Sequence, residues 1–405
     1  MEILNMLIGE ALLGTAPELA HVDLLIGSKD GPVGMAFAQG LTTLSAGHTP
    51  LLAVIRPNLP PKPHTLIVPK VTVQNMEQAT KIFGPAQYAV AKAVADAAEE
   101  GVFPKDINLD DLVIIASIFI HPDAKDFRRL YNYNYGATKL ALKRALTNYP
   151  PLKKVLYDKD RASHPIMGFK VPRLWRPPYL QIALDITSIN RIKEMIKNEF
   201  PKSDRLILEA GTPLLKKYGV RVLRELREVA PDVFIIADLK TLDVSKVEVD
   251  LAYEETADAV VCSGLASPES INKFIYESKR LGIYAIVDLM NVTDVVDKLK
   301  SLDDFPDVLI FHRGIDTEEA GGKTRWELIK EVKQEFSDKK FLVAVAGGIR
   351  PINTREALEK GADIVIVGRY ITQARDIEKS VRDFLKTIGA EEPDVDQYRV
   401  HSEDG

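Results

Sequence analysis

The sequence predicts an α+β domain followed by a (β/α)8 TIM barrel, and three observations carry that prediction. The chain has 405 residues, more than the roughly 100–200 that one domain usually holds. Prolines are uneven, with 17 of the 24 in the first 178 residues. From residue 179 on, eight short apolar runs start about 25 residues apart, most of them separated by amphipathic Lys- and Glu-rich segments.

Composition sets the class. Apolar residues at 46% and charged residues at 27% describe a folded globular chain. Lys and Arg total 53 against 58 Asp and Glu, so the basic excess of a general nucleic-acid binder is missing and no nucleic-acid partner is expected. The single cysteine, Cys262, excludes an intramolecular disulfide framework and any multi-cysteine metal site. No run approaches the ~18–20 apolar residues of a membrane span. The start carries Glu2 and Glu10 in place of a basic leader, so a cytoplasmic protein without a membrane partner is expected.

The first 150 residues read as α+β. AHVDLLIG, PLLAVI, HTLIVPKVTV and DLVIIASIFI read as strands, PAQYAVAKAVADAAEEG and YGATKLALKRALTN as helices, with Gly101 closing the first helix. Gly27–Gly34 reads as a loop. Tyr131, Tyr133 and Tyr135 suggest a half-exposed aromatic surface. Residues 151–178 hold seven Lys and Arg against two Asp, with dense proline and no sustained periodicity. They read as a basic linker lying against an acidic neighbour surface. Residues 179–389 form the barrel, and residues 390–405 an acidic tail expected to be partly disordered.

The eight barrel runs start at Tyr179, Arg205, Val233, Ala259, Ile283, Val308, Phe341 and Ile364. Continuous apolar strands alternating with helices mean a parallel sheet buried on both faces. An open doubly wound sheet shares that alternation, and eight units in just over 200 residues favour closure. Barrel chemistry sits at the C-terminal ends of the strands. Here those ends carry Asp185, Glu209, Asp238-Leu239-Lys240, Asp288, His312, Gly347-Gly348 and Gly368-Arg369.

Each residue type suggests a role. Paired glycines in the last two units let backbone N–H groups approach a phosphate, and Arg369 adds charge-assisted hydrogen bonds. Ordinary strand-to-helix turns would use the same glycines. Glu209 and Asp238 on neighbouring strands offer hard oxygen ligands to an ion such as Mg2+. Lys240, two residues beyond Asp238, is expected to pair with it, and a structural ion pair would look alike. Asp185 either joins this network or supports it. His312, the one histidine between residues 179 and 389, suits proton transfer, although a solitary histidine is more often structural. Cys262 reads as a small buried apolar residue.

The ordered set ALD, LEAG, ADLKTLD, FHRGID, AGGI and VGRYIT resembles 3-hexulose-6-phosphate synthase, in the orotidine monophosphate decarboxylase suprafamily. The resemblance implies Mg2+ on Glu209 and Asp238, and substrate phosphate at Gly348, Gly368 and Arg369. It also implies a dimer in which Asp243 reaches the partner's active site. The expected reaction joins ribulose 5-phosphate and formaldehyde, reversibly, with His312 moving the proton and Lys240 supplying positive charge. A related sugar-acid phosphate decarboxylase is the alternative within the same barrel family.

In the first domain His21 and Asp23 share a strand face, and Lys70 and Thr72 show the same spacing. Spacing alone equally describes a solvated sheet face. The segments GEALLGTAPELAHVDLLIG, PLLAVIRPNLPPKPHTL, PKVTV, FGPAQ and YNYGATK resemble formaldehyde-activating enzyme, which condenses formaldehyde with tetrahydromethanopterin. That resemblance implies His21 as proton donor, pterin contacts at Asp23, Leu52, Lys70, Thr72 and Gln87, and a pentameric homo-oligomer. The combined expectation is a bifunctional enzyme with formaldehyde as the shared metabolite. A non-catalytic pterin-binding or oligomerising first domain is the rival.

Overall fold

Strict alternation organises the first sheet. In β1 (Leu7–Leu13) and β2 (Ala20–Ser28) the residues Ala11, Val22, Leu24 and Ile26 are fully buried, while Glu10, His21 and Asp23 between them are not. The computed structural model describes residues 6–43, 46–161, 171–314 and 326–390. It divides into two compact units, with the break between Lys159 and Asp160.

The first unit adds β3 (Leu51–Leu52), β4 (His64–Pro69) and β5 (Leu112–Ile120), giving the order β1-β2-β5-β4-β3. Only the β4–β5 pair among these is parallel. The helices are α1 (Pro32–Thr42), α2 (Met76–Lys81), α3 (Gln87–Glu99) and α4 (Phe127–Leu146). Val90, Val94, Ala137, Ala141 and Leu142 from α3 and α4 pack on the buried face of the sheet. Gly9 lets α4 sit close, because a Cβ there would lie 2.0 Å from the Ala141 carbonyl oxygen. On the opposite face Val33 and Phe37 of α1 cover Leu25, Val68, Val113 and Ile115.

Several local readings change. Gly27–Gly34 is not a loop throughout, since Gly27 ends in β2 and α1 begins at Pro32. Proline at the first helical position loses no hydrogen bond, so it starts this helix instead of breaking it. β1 is an added strand. α4 begins eight residues before the YGATK segment, because the Asp126 carboxylate accepts from the backbone N–H groups of Arg128 and Arg129. Gly101, at φ +70°, does follow the end of α3. Tyr131 stacks between Tyr88 and Tyr135, whereas Tyr133 packs into the core.

In the second unit every predicted run forms a strand. β6 (Tyr179–Leu184), β7 (Leu206–Ala210), β8 (Phe234–Thr241), β9 (Ala259–Ser263), β10 (Tyr284–Asp288), β11 (Val308–His312), β12 (Leu342–Ala346) and β13 (Ile364–Val367) close into a barrel. All eight junctions are parallel, with β13 pairing to β6. Ile207, Ile236, Val261, Ile286, Ile310 and Ile366 fill the barrel. A larger cluster, including Phe274 and Phe384, joins the strands to the surrounding helices.

The segment between the two units is more ordered than its composition suggests. It contains a helix at Leu152–Asp158, and residues 171–178 close the N-terminal end of the barrel. Leu174 joins the barrel-interior cluster, and its N–H donates to the Tyr284 hydroxyl at 3.1 Å. The Arg176 N–H donates to the Tyr179 hydroxyl at 2.7 Å. The basic side chains meet nearby acids and rings: Arg176 lies 3.8 Å from Asp204, and Arg173 lies over Tyr284. Part of the linker, residues 162–170, lies outside the described residues, as do Ile315 and Asp316 of the FHRGID element and tail residues 391–405. Among the described residues no helix is long and apolar enough to cross a membrane.

Both tryptophans, Trp175 and Trp326, lie in the second unit, so their fluorescence reports on the barrel. Leu174→Ala is expected to destabilise it by about 2–3 kcal/mol, measured as a lower midpoint in a urea titration.

Candidate active sites

Barrel closure brings the ends of β6, β7, β8, β10 and β11 around one mouth. The last residue of β10, Asp288, is 1% exposed. Its Oδ2 accepts from Lys240 Nζ at 3.0 Å and lies 2.7 Å from His312 Nδ1. Its Oδ1 accepts from the Met290 N–H at 2.9 Å. Burial opposes the charge on Asp288, but His312 and Lys240 overcome it and hold the carboxyl below its ordinary range. With Nδ1 bound to the carboxylate, Nε2 is the His312 nitrogen left for a substrate.

Lys240 meets Asp238 through both carboxylate oxygens, at 2.8 and 2.9 Å. Simple alternation is not the reason. The β8–β9 register shifts between Ala237 and Thr241, and Lys240 has φ +48°, a left-handed conformation costly for a side chain with a Cβ. This bulge aims the ammonium at Asp238 and Asp288 together. Burial works against its charge, yet those two carboxylates hold its pKa well above the usual lysine value.

Behind this pair stand more acids. Glu209 on β7 is buried and accepts from Gln181 Nε2 at 2.5 Å. Burial first, and then the charges of Asp238 and Asp185, push its pKa up to about 8. Thr212 donates to Asp238 Oδ2 at 2.7 Å. Asp185 is reached by solvent across the mouth, but loss of water around its carboxyl, and then Asp238, raise its pKa. A Cβ on Gly211 would come within 2.1 Å of Asp185 Oδ1, and one on Gly368 within 3.6 Å of Oδ2. Asp185 therefore sits between the mouth carboxylates and the last strand's glycine.

The glycines have local reasons too. Gly347, at φ +94°, lies where a Cβ would meet the Arg313 carbonyl at 2.0 Å, and the Arg313 guanidinium donates to the Gly347 carbonyl at 3.2 Å. Gly348 has φ +69°. Gly368 precedes the four-residue turn Arg369–Thr372, and Arg369 is exposed. Asp243 is also exposed, two residues beyond the end of β8. Cys262 is buried, donates to the Thr241 carbonyl at 3.1 Å, and has its thiol pushed up to about 12 by burial.

The open end of the first sheet gathers a second ionisable cluster. His21 Nε2 lies 3.0 Å from Glu10 Oε1 and 3.5 Å from Asp23 Oδ1. Lys70 Nζ lies 3.4 Å from His21 Nδ1 and pairs with Asp23 Oδ2. Thr72 does not join Lys70; its hydroxyl pairs with His48 Nε2 at 2.8 Å, while His48 Nδ1 meets the Pro69 carbonyl at 3.0 Å. Gln87 accepts from the Val54 N–H at 3.0 Å, two residues beyond the half-buried Leu52. Glu10, His48, Gln181, Thr212 and Arg313 were not assigned roles from sequence. Only Glu10 had a readable signal, as a charged residue amid an apolar strand.

Residues 8–167 match the formaldehyde-activating enzyme (Fae) family. Residues 178–384 match the orotidine 5'-phosphate decarboxylase / HUMPS family. Over 393 residues the chain is 56% identical to the bifunctional enzyme Fae/Hps of Methanocella arvoryzae, covering 97% of this chain and 98% of that one. The chain belongs to the bifunctional Fae/Hps family. The Methanothrix thermoacetophila Fae/Hps is 57% identical over 394 residues, with 97% and 98% covered. Among solved structures, 3-hexulose-6-phosphate synthase from Salmonella typhimurium is 29% identical, over 53% of this chain and all of that one, at a TM-score of 0.47.

In this Fae/Hps enzyme, Asp288→Asn removes the buried charge that Lys240 and His312 share. A loss of about 3 kcal/mol in barrel stability is expected. The gap from the unmodified protein is full above the ordinary carboxylate value of 3.8. It closes as pH falls through the depressed value of the folded state. Fluorescence-detected urea titrations across that range measure it.

Proposed function

We propose that the two clusters run two reactions of formaldehyde. The first unit condenses it with tetrahydromethanopterin, and the barrel reversibly joins it to ribulose 5-phosphate as a hexulose 6-phosphate. The observation that carries the barrel reading is Asp288 holding both His312 and Lys240, which leaves His312 Nε2 turned to the mouth beside an ammonium. The domain bounds taken for this reading are 1–150 and 179–389, joined by 151–178 and ended by 390–405.

A divalent ion fits the barrel mouth. Among the described residues no three His, Cys, Asp or Glu side chains form a ready ligand cluster. Mg2+ commonly takes only one or two carboxylates plus substrate oxygens. Burial, and then crowding by Asp238 and Asp185, raises the pKa of Glu209, and that crowding is what a cation relieves. Glu209 and Asp238 would hold Mg2+, which supplies Lewis-acid stabilisation of a developing oxyanion.

The protein's own groups account for the proton. His312 Nε2 removes the C1 proton of ribulose 5-phosphate, and the released electron pair forms the bond to the formaldehyde carbon. The former carbonyl oxygen of formaldehyde takes the proton back from His312. Lys240 stabilises the negative charge that builds meanwhile. Gly347, Gly348, Gly368 and Arg369 hold the phosphate, and Asp185 orients the sugar next to them. Asp243 serves the mouth of a partner subunit in a dimer.

In the first unit His21 protonates the hydroxyl of the carbinolamine formed by formaldehyde and one pterin nitrogen, so that water leaves. The second nitrogen closes the methylene bridge and loses its proton. Asp23, Leu52, Lys70, Thr72 and Gln87 hold the pterin, between subunits of a pentamer. A cytoplasmic location agrees with the one buried thiol.

Two variants, a chelation and a substrate comparison test this reading. His21→Ala is expected to lose about 100-fold or more of the acceleration of methylene-pterin formation over the spontaneous rate, while formaldehyde release from hexulose 6-phosphate is unchanged. An unaltered pterin reaction would leave the first unit a binding module. His312→Ala is expected to cut formaldehyde release about 100-fold or more, and chelation of Mg2+ to abolish it. Faster turnover of 3-keto-gulonate 6-phosphate than of hexulose 6-phosphate would favour a decarboxylase.

A further inference from the structure

The geometry around His21 contains a carboxylate to which the pterin reaction has not assigned a task. Glu10 on β1 stands directly opposite Asp23 on β2 in the register of the sheet. Two like charges placed opposite each other oppose strand pairing, so a face serving only to meet water has no reason to hold them. His21 comes between them, and Lys70 and Arg144 each pair with one of the two. Each carboxylate divides its two oxygens in the same way. Asp23 gives Oδ1 to His21 and Oδ2 to Lys70. Glu10 gives Oε1 to His21 at 3.0 Å and Oε2 to Arg144 at 3.6 Å. Arg144, on α4, also donates to the Glu10 main-chain carbonyl at 2.9 Å, which fixes this point of β1 from behind.

The donors and acceptors then settle where the His21 hydrogen sits. An ammonium can only donate, so Nδ1, facing Lys70, is the accepting nitrogen of the neutral ring. The hydrogen is on Nε2, which faces Glu10 more closely than Asp23. When His21 takes up a second proton, the ring carries positive charge 3.4 Å from the Lys70 ammonium. Asp23 already pairs with Lys70, so Glu10 is the carboxylate that offsets this repulsion.

We propose that Glu10, anchored by Arg144, is the positioning residue that holds His21 in the orientation and charge state its reaction needs. The inference rests on His21 being the acid of the first reaction. The proton balance closes without change at Glu10. His21 gives one proton to the departing hydroxyl, which leaves as water. It regains one from the second pterin nitrogen as the methylene bridge closes, while Glu10 stays a carboxylate.

The test uses the full-length protein with formaldehyde and tetrahydromethanopterin, comparing Glu10→Gln, Glu10→Asp, His21→Ala and the double variant Glu10→Gln/His21→Ala. Glu10→Gln is expected to lower kcat about tenfold or more, the scale of one charge-assisted hydrogen bond, with KM for the pterin unchanged. Glu10→Asp, which keeps the charge, should recover part of the loss. The double variant should be no slower than His21→Ala, because Glu10 acts through His21. Full activity of Glu10→Gln beside an inactive His21→Ala overturns the proposal. So do losses that add in the double variant, or a loss confined to KM. A His21→Ala variant that keeps its acceleration overturns the His21 reading itself, and this proposal with it. Thermal melts of each variant separate these results from misfolding, and Glu10→Asp gives the answer if Glu10→Gln does not fold.

Discussion

A carboxylate removed from water must find positive charge and hydrogen-bond donors or give up its own charge, and at Asp288 the barrel supplies such partners from two sides. Lys240 arrives from β8 and His312 from β11, both on the same oxygen. Lysine has four rotatable bonds, and at this rim the Asp238 and Asp288 carboxylates restrict them. The shared buried acceptor makes one arrangement cheaper than the rest. The unusual backbone of Lys240 follows from the same demand, since a regular strand end would not aim its ammonium at Asp238 and Asp288 together. Further acids stand behind this pair, and at Glu209 burial first, then Asp238 and Asp185, outweigh what Lys240 offsets.

The first unit reaches a comparable result by other means. Its charges stand on the open face of a mixed sheet, where water screens them and no single group is fully enclosed. Order comes from register: β1, β2 and β5 fix the spacing of the side chains, and α4 braces the edge strand through Arg144. A site of this kind tolerates solvent but depends on several weak contacts acting together, whereas the barrel site depends on one strong one.

Much of this was legible in the sequence, for physical reasons. Parallel strands buried on both faces must be apolar throughout, so all eight barrel strands stood out, and the residue after the apolar run is where chemistry can begin. Asp288, His312 and Lys240 were visible as strand ends. Their convergence on one oxygen was not, because it depends on closure and on a bulge with no sequence mark. In the first unit alternation revealed His21 and Asp23. Glu10 escaped because β1 was not read as a strand, and the His48–Thr72 pair because 24 residues separate its members. Proline misled twice, at Pro32, where it starts a helix, and between 151 and 178, where a helix and an ordered segment were hidden by composition.

That ordered segment bears on how such a two-part chain can be assembled. Residues 171–178 are the floor of the barrel as well as part of the tether leading to it: Leu174 fills its lower end and the backbone satisfies Tyr179 and Tyr284. A recombination joint placed at residue 178 would therefore deliver a barrel without its base, open to water among its isoleucines. The structural seam lies upstream of the floor, between Lys159 and Asp160. A barrel moved to another protein has to bring its own floor with it, so residues 171–178 belong with the barrel and not with the spacer before it.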